Sequence, residues 1–479
     1  MSTNAIQQQT QSIKTTPILV SFLIAGFIGL FNETALNMAL GNLIQVFNVS
    51  SSTVQWLTTG YLLTLGILVP VSGLLIQWFS TRQLFITSLV FSLIGTITAA
   101  LAPSFGVLLL ARVIQAIGTG LLLPLMFNTV LLIYPIHRRG ATMGLMGLVI
   151  MFAPAIGPTI SGLIIEYLSW HWIFWVCLPF FVLALLSGIT YMQNVSTITK
   201  PKIDVLSIIS STIGFGGIVY GFSSAGENGW GSTIVISTIT VGLLALALFS
   251  LRQGKMNKPM INLRVFKYPM FTLGVLTVFV AFMVILSSMI LLPLYLQVGL
   301  GLDGFSAGLV LLPGGVINGI MSPITGRIFD RYGPRGLVLP GFIIMIVMLW
   351  LLSKVTTETS ILMVIVLHSF LMVGVSMVMM PAQTNGLNQL PKALYPDGTA
   401  LMNTLQQVSG AIGTAVAITI MSVSQNTYMM SVTNPSDPSS IGASLTAGVQ
   451  DAFIFGLTLA IVGLIISFFI KSSSVKLEY

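Results

Sequence analysis

Long apolar runs of about twenty residues, broken by short polar connections, repeat along the whole chain. Wound as helices at ~1.5 Å per residue, such runs match the ~30 Å hydrocarbon core of a bilayer. Read this way, the spans fall at residues 17–41, 53–77, 83–101, 106–131, 140–165, 172–193, 204–225, 232–251, 269–297, 304–325, 336–353, 360–382, 397–421 and 452–471. A membrane β-barrel would instead show short segments of alternating polarity. The pattern therefore predicts an all-α polytopic membrane protein with fourteen transmembrane helices. Composition agrees: charged residues are 6% of the chain, against about 25% in soluble domains.

The net charge of +8 changes meaning once its placement is read. With a cytoplasmic N-terminus, every Lys and Arg falls on the inner side except Lys354, outside, and Arg112, inside a span. The bias obeys the positive-inside rule and puts both termini in the cytoplasm. It is a topology signal and not a nucleic-acid footprint. Cys177 stands alone, which excludes an intramolecular disulfide and reads as a buried, inert thiol.

Two connections resemble each other. GLLIQWFSTRQ, from Gly73 and containing Arg82, follows the second span; GRIFDRYGPRG, from Gly326 and containing Asp330, Arg331 and Arg335, follows the tenth. Each comes after the second helix of a six-helix set, so the chain divides as six, two and six. The expected boundaries are a tail at 1–16, a first bundle at 17–193, inserted helices at 204–251, an amphipathic connector at 252–268, a second bundle at 269–471 and a tail at 472–479. The connector is expected on the cytoplasmic surface, attracted to anionic lipid. Residues 422–451 form the longest external loop, with Asn434-Pro435 and Asp437-Pro438 as turn signals, read either as a solvated linker or as a folded lid.

No phosphate-binding G-x-x-x-x-G-K-[ST] loop and no metal-ligand cluster occurs. The reading therefore carries no cofactor and no metal, and any work must come from an ion gradient. Attention falls on Glu33 in FNETALNMAL, because a carboxylate in hydrocarbon needs a partner, a proton or a cavity. Arg112 and His368 lie at a similar depth on other spans, with Asn37 one turn beyond Glu33 and Gln115 and Thr119 on the Arg112 face. Glu33 and Arg112 form either a structural ion pair or a proton site; His368 is either packed or titrating. A stripe of His368, Met372 and Met379 suits a soft ligand surface or a core. Asn403, Gln406 and Gln407 supply polar groups from a span read as lacking an acid. Gly157 and Pro158 mark a tight, kinked fifth span, expected to act as a sliding hinge and not as a ligand wall.

These residues resemble the drug:proton antiporters of the major facilitator superfamily, in the fourteen-span branch of EmrB and QacA. FNETALNMAL resembles the span 1 motif, ARVIQAIGTG the span 4 motif with its Arg at Arg112, and APAIGPTISG the antiporter motif around Gly157 and Pro158. SWHWIFWVCLP is similar to the entry of span 6, and residues 291–315 to the span 9–10 region. Within the branch the chain is most similar to LmrB-type lincosamide and multidrug exporters. Gln77 and Trp78 stand where the family usually has Asp-Arg, so a charged latch is expected at Asp330.

The resemblance implies proton-coupled export of small amphipathic drugs by a monomer in a bacterial cytoplasmic membrane. Its partners are then drugs, protons and membrane lipids, with no nucleic acid. Glu33, Arg112 and His368 are the expected proton-coupling groups. The expected ligand contacts are Asn37, Gln115, Thr119, Met372, Met379, Asn403, Gln406 and Gln407. Export of a native lipid or metabolite is the alternative; a membrane enzyme would need acidic or His-bearing surface loops.

Overall fold

The computed structural model describes residues 14–201, 203–256, 259–432 and 437–472. The first span is two helices, α1 (Thr15–Ala35) and α2 (Leu40–Phe47), joined by a 3-10 turn over Leu36–Ala39. The first bundle continues with α3 (Ser51–Trp78), α4 (Thr81–Ala100), α5 (Phe105–Ile133), α6 (Ile136–Tyr167) and α7 (His171–Tyr191). The inserted pair is α8 (Val205–Asn228) and α9 (Thr233–Lys255). The second bundle holds α10 (Pro269–Leu294), α11 (Gly304–Tyr332), α12 (Arg335–Leu352), α13 (Ile361–Asn388), α14 (Tyr395–Ser431) and α15 (Pro438–Ser467). The described residues contain 14 segments long and apolar enough to cross a membrane and no strand.

Backbone groups in hydrocarbon must be paired within the protein, so turns are confined to the two ends of the bundle. Side chains there satisfy the free N–H groups of the helix starts. Ser80 accepts from the Gln83 backbone at 3.2 Å while Gln83 accepts in return from Ser80 at 3.0 Å. Asp303 accepts from the Ser306 N–H at 3.0 Å, and these bonds hold its carboxyl below its ordinary value.

The two bundles meet along two seams, α6 against α11 and α3 against α14. Small residues make the first seam close: a Cβ added at Gly326 would strike the Gly140 carbonyl, and one at Gly144 the Ser322 carbonyl. The inserted α8 packs on α3 and α14, and α9 packs mainly on α8. Asp204 and Arg252 tie this pair together through bonds of 2.6 and 2.8 Å. They form the one ion pair among the described residues. The Arg252 guanidinium, with Ser207, holds the Asp204 carboxyl well below its ordinary value.

Of the two readings of residues 422–451, the structure departs from the solvated linker: the segment is helical at both ends, because α14 runs on to Ser431 and α15 begins at Pro438. No Gly or Pro interrupts residues 414–433, and Pro suits the first position of a helix. Ser424 also bonds to Asp451 at 2.6 Å, clamping the extensions to each other. Asn434-Pro435 lies outside the described residues, as do Lys202, Lys258, Lys476 and most of both tails.

The connector 252–268, where it is described, has an apolar side in the protein and exposes Arg264, Phe266 and Lys267. Met260, Ile261 and Val265 are buried in the protein. Gln253 of α9 accepts from the Met260 and Ile261 N–H groups at 2.7 and 3.2 Å and donates to Ser207 of α8 at 2.6 Å. Asp397 accepts from the Asn262 N–H at 3.0 Å. The connector's backbone thus finds partners in α9 and α14, which holds Met260, Ile261 and Val265 inside.

Candidate functional site

Arg112, fully buried on α5, organises the first bundle. Its guanidinium donates to the carbonyls of Asn32 at 3.0 Å, Glu33 at 3.1 Å and Leu57 at 3.4 Å, and to Gln115 Oε1 at 3.1 Å. It also lies over the Tyr61 ring, 4.3 Å from the centroid. The two α1 carbonyls stand just before the helix gives way to the 3-10 turn, where the ladder of backbone bonds is interrupted. Arg112 supplies the donors that water would supply elsewhere.

Of the two readings of Glu33 and Arg112, the structural ion pair is not formed. Arg112 bonds to the backbone of Glu33, and the Glu33 carboxylate has no hydrogen bond or ion pair among the described residues. Glu33 is only half-buried. Gln115 and Thr119 are corrected as well: they are buried in the same network and do not face a ligand space. Gln115 donates to Thr96 at 3.1 Å, and Thr119 accepts from the Tyr61 hydroxyl at 2.8 Å. Asn37 is exposed and accepts from Thr58 at 2.9 Å.

Between the bundles lies a cavity of about 220 Å³. The first bundle contributes Met38, Met151, Pro154, Pro158 and Thr159; the second contributes Ser288, Met289, Asn318, His368 and Met372. The fifth span is thus a cavity wall, against expectation. One of its faces carries Pro158 to the cavity, while Gly157 packs on Thr34 at the break in the first span.

His368 packs its ring on Gly314. At ~1.5 Å per residue, Glu33, Arg112 and His368 all stand ~27–32 Å from the basic end of their helices. They share a layer, but no hydrogen bond or ion pair joins His368 to the other two among the described residues. Met372 lines the cavity; Met379 is buried in the core and does not. Asn403, Gln406 and Gln407 also lie off its wall. Asn403 donates to Thr399 within its own helix at 2.8 Å, and Gln406 donates to Gln383 at 3.5 Å. They sit nearer the basic end, where the bundles are closed.

That closure is a latch. Asp330 of α11 accepts from the backbone N–H groups of Gly140 and Ala141 at 2.7 and 2.8 Å, in the first turns of α6. Arg139 of α6 donates to Asn388 of α13 at 2.9 Å and to the Tyr395 hydroxyl of α14 at 3.1 Å. Outside the latch is an open cleft of about 950 Å³ lined by His137, Arg331 and Lys392. In the first bundle Gln77 donates only to Gly73 of its own helix, at 3.2 Å, and Arg82 to Ile189 at 2.8 Å. Gly73 itself faces Ala400 across the second seam. Arg335 donates to the Ile470 carbonyl at 2.7 Å, and Arg331 lies over its neighbour Tyr332.

Sequence reasoning used Arg139 only for topology, although HRRG at the entry of a span signals a cation at the interface. It also read the thirteenth span as lacking an acid, whereas Asp397 is buried in the first turn of α14.

Comparison with known proteins agrees with this architecture. Residues 22–414 match the family model described as Major Facilitator Superfamily. The chain is 67% identical to the lincomycin resistance protein LmrB of Listeria innocua over 97% of its length and 98% of that protein's. It is 66% identical to the LmrB of Bacillus subtilis, covering 96% and 97% of the two chains. The probable multidrug resistance protein EmrY of Escherichia coli is 26% identical over 84% of this chain and 79% of that protein. Among solved structures, the proton:xylose symporter XylE superposes with a TM-score of 0.65 at 14% identity, covering 96% of each chain, which shows a shared fold.

Proposed function

The chain belongs to the major facilitator superfamily, a transporter family and not an enzyme family, and from that premise we propose that it exports amphipathic drugs in exchange for protons. The observation that carries this reading is the cavity between the two bundles, walled by methionines and prolines and shut at the basic end by the latch. Such a space is reached from one side at a time if the bundles rock about the seams. The relatives named for lincomycin resistance support drugs as the cargo. The positive-inside bias supports a bacterial cytoplasmic membrane with the basic end and both termini facing the cytoplasm.

Glu33 is the proton carrier in this reading. Backbone carbonyls and Gln115 already receive the hydrogen bonds of Arg112, so the carboxylate can gain or lose a proton without dismantling the bundle. Its place beside the break in the first span, where Gly157 packs on Thr34, links its charge to the α1–α6 contact.

Everted vesicles test the proposal: several drug classes are loaded with and without a proton gradient. Gradient-dependent accumulation is expected for the wild type, none for Glu33→Gln at equal membrane insertion, and partial function for Glu33→Asp. Concentrative transport by Glu33→Gln would refute the role of Glu33. Gradient-independent movement of every drug would refute the exchange.

A further inference from the structure

Two residues that line the same cavity from opposite bundles each carry a buried polar atom without a hydrogen-bond partner: Thr159 Oγ1 on α6 and His368 Nδ1 on α13. The cavity's other buried polar groups are engaged. Ser288 donates to the Val284 carbonyl at 2.8 Å, and Asn318 donates to the Met372 carbonyl at 3.0 Å. An orphaned buried polar atom is costly, and a ligand that satisfies it recovers that cost. A neutral ring with its proton on Nε2 presents Nδ1 as a bare acceptor. The Thr159 hydroxyl can donate or accept.

No Asp, Glu, Lys or Arg lines this cavity among the described residues. A permanent cation would enter without a counter-charge, which is unfavourable in an apolar enclosure. Met38, Met151, Met289 and Met372 form much of the wall and can repack around a body larger than the present 220 Å³.

We infer that Thr159 and His368 form a two-point polar clamp selecting uncharged amphiphiles with a hydroxyl or amide N–H donor, and that the site discriminates against permanently charged cations. The assignment rests on the export reading above and names the chemical class of its cargo. The clamp spans both bundles, so the same ligand that satisfies the two atoms also draws the bundles together.

Binding to the purified full chain in nanodiscs tests it, at a pH above the pKa of the tertiary amine so that this group is neutral, with lincomycin, its N-ethyl tertiary analogue and its N-methyl quaternary derivative as probes. The quaternary probe should bind roughly tenfold or more weakly than the tertiary analogue of similar bulk. Thr159→Val and His368→Gln should each weaken lincomycin roughly 3- to 10-fold. His368→Asn restores an acceptor near the Nδ1 position and should recover most of the affinity, a rescue that loss of packing alone would not give. Equal affinity for the tertiary and quaternary probes, or wild-type affinity in both Thr159→Val and His368→Gln, overturns the clamp. Vesicles that export other drugs while lincomycin fails to bind would sink this assignment and leave the export reading standing. The expected affinity pattern without gradient-driven export would do the reverse.

Discussion

Replacing Asp330 by Asn should open the basic end. In the closed arrangement the Asp330 carboxylate takes two backbone N–H groups, from Gly140 and Ala141, at 2.7 and 2.8 Å. Hydrogen bonds to a charged group contribute about 1.5–3 kcal/mol each, and a negative charge at a helix start adds about 0.3–1 kcal/mol. Asn keeps one acceptor and turns an N–H₂ toward the second donor, so the closed state loses about 2–3 kcal/mol. In the open state water satisfies the same backbone groups, and the substitution costs little there. The equilibrium should shift roughly 30- to 150-fold, which takes a 99:1 closed population to near parity. Spin labels at Arg138→Cys and Arg331→Cys report this as a distance distribution, since both positions are exposed and lie on opposite sides of the latch. Cys177 is buried and is replaced by Ala to leave two labels. A second, longer distance is expected in Asp330→Asn. A distribution identical to that of Asp330 would refute the latch as the element that holds this end shut.

Three further outcomes follow from the same geometry. Arg112→Lys should fail to restore export, because an ammonium cannot span carbonyls on α1 and α3 together with Gln115 as the guanidinium fork does; vesicle transport at the wild-type rate by the Lys variant would show that positive charge alone suffices. Gly157→Leu should block alternation, since even a Cβ there strikes the Thr34 hydroxyl; a normal rate would make the α1–α6 contact incidental. The Asp204 carboxyl is depressed by Arg252, so its stabilisation is complete above the ordinary carboxylate value near ~4 and is lost only as pH falls below it. The melting temperature of the wild type minus that of Asp204→Asn should therefore be constant from pH 5 to 8, and a difference that varies across that window contradicts the pairing.

The spans and their number are determined by sequence alone, because the bilayer acts on each segment separately. Twenty apolar residues must become a helix wherever they occur, and a Lys or Arg biases the orientation of its nearest connection. The same locality explains why Arg112, Glu33 and His368 could be assigned to one layer from helix rise alone. What joins them could not be, since side-chain partners depend on how helices turn toward one another. Glu33 and Arg112 look like an ion pair by depth and charge. Only the packed bundle shows the guanidinium spent on the carbonyls where the first helix breaks.

Gln115 and Thr119 are equally polar whether they face a cavity or a buried network, and rotation about a helix axis decides which. Thr159 lies within APAIGPTISG, but nothing in that motif marks its hydroxyl, which matters because the packed structure leaves it without a partner. The stretch 422–451 is open between two readings for a related reason. Polar residues near 422–431 read as a connection, yet they remain helical because Ser424 and Asp451 lie side by side once α14 and α15 pack. Hydrophobic run length is a property of one segment in lipid, whereas hydrogen-bond completion is a property of several segments at once, and so it belongs to the tertiary structure.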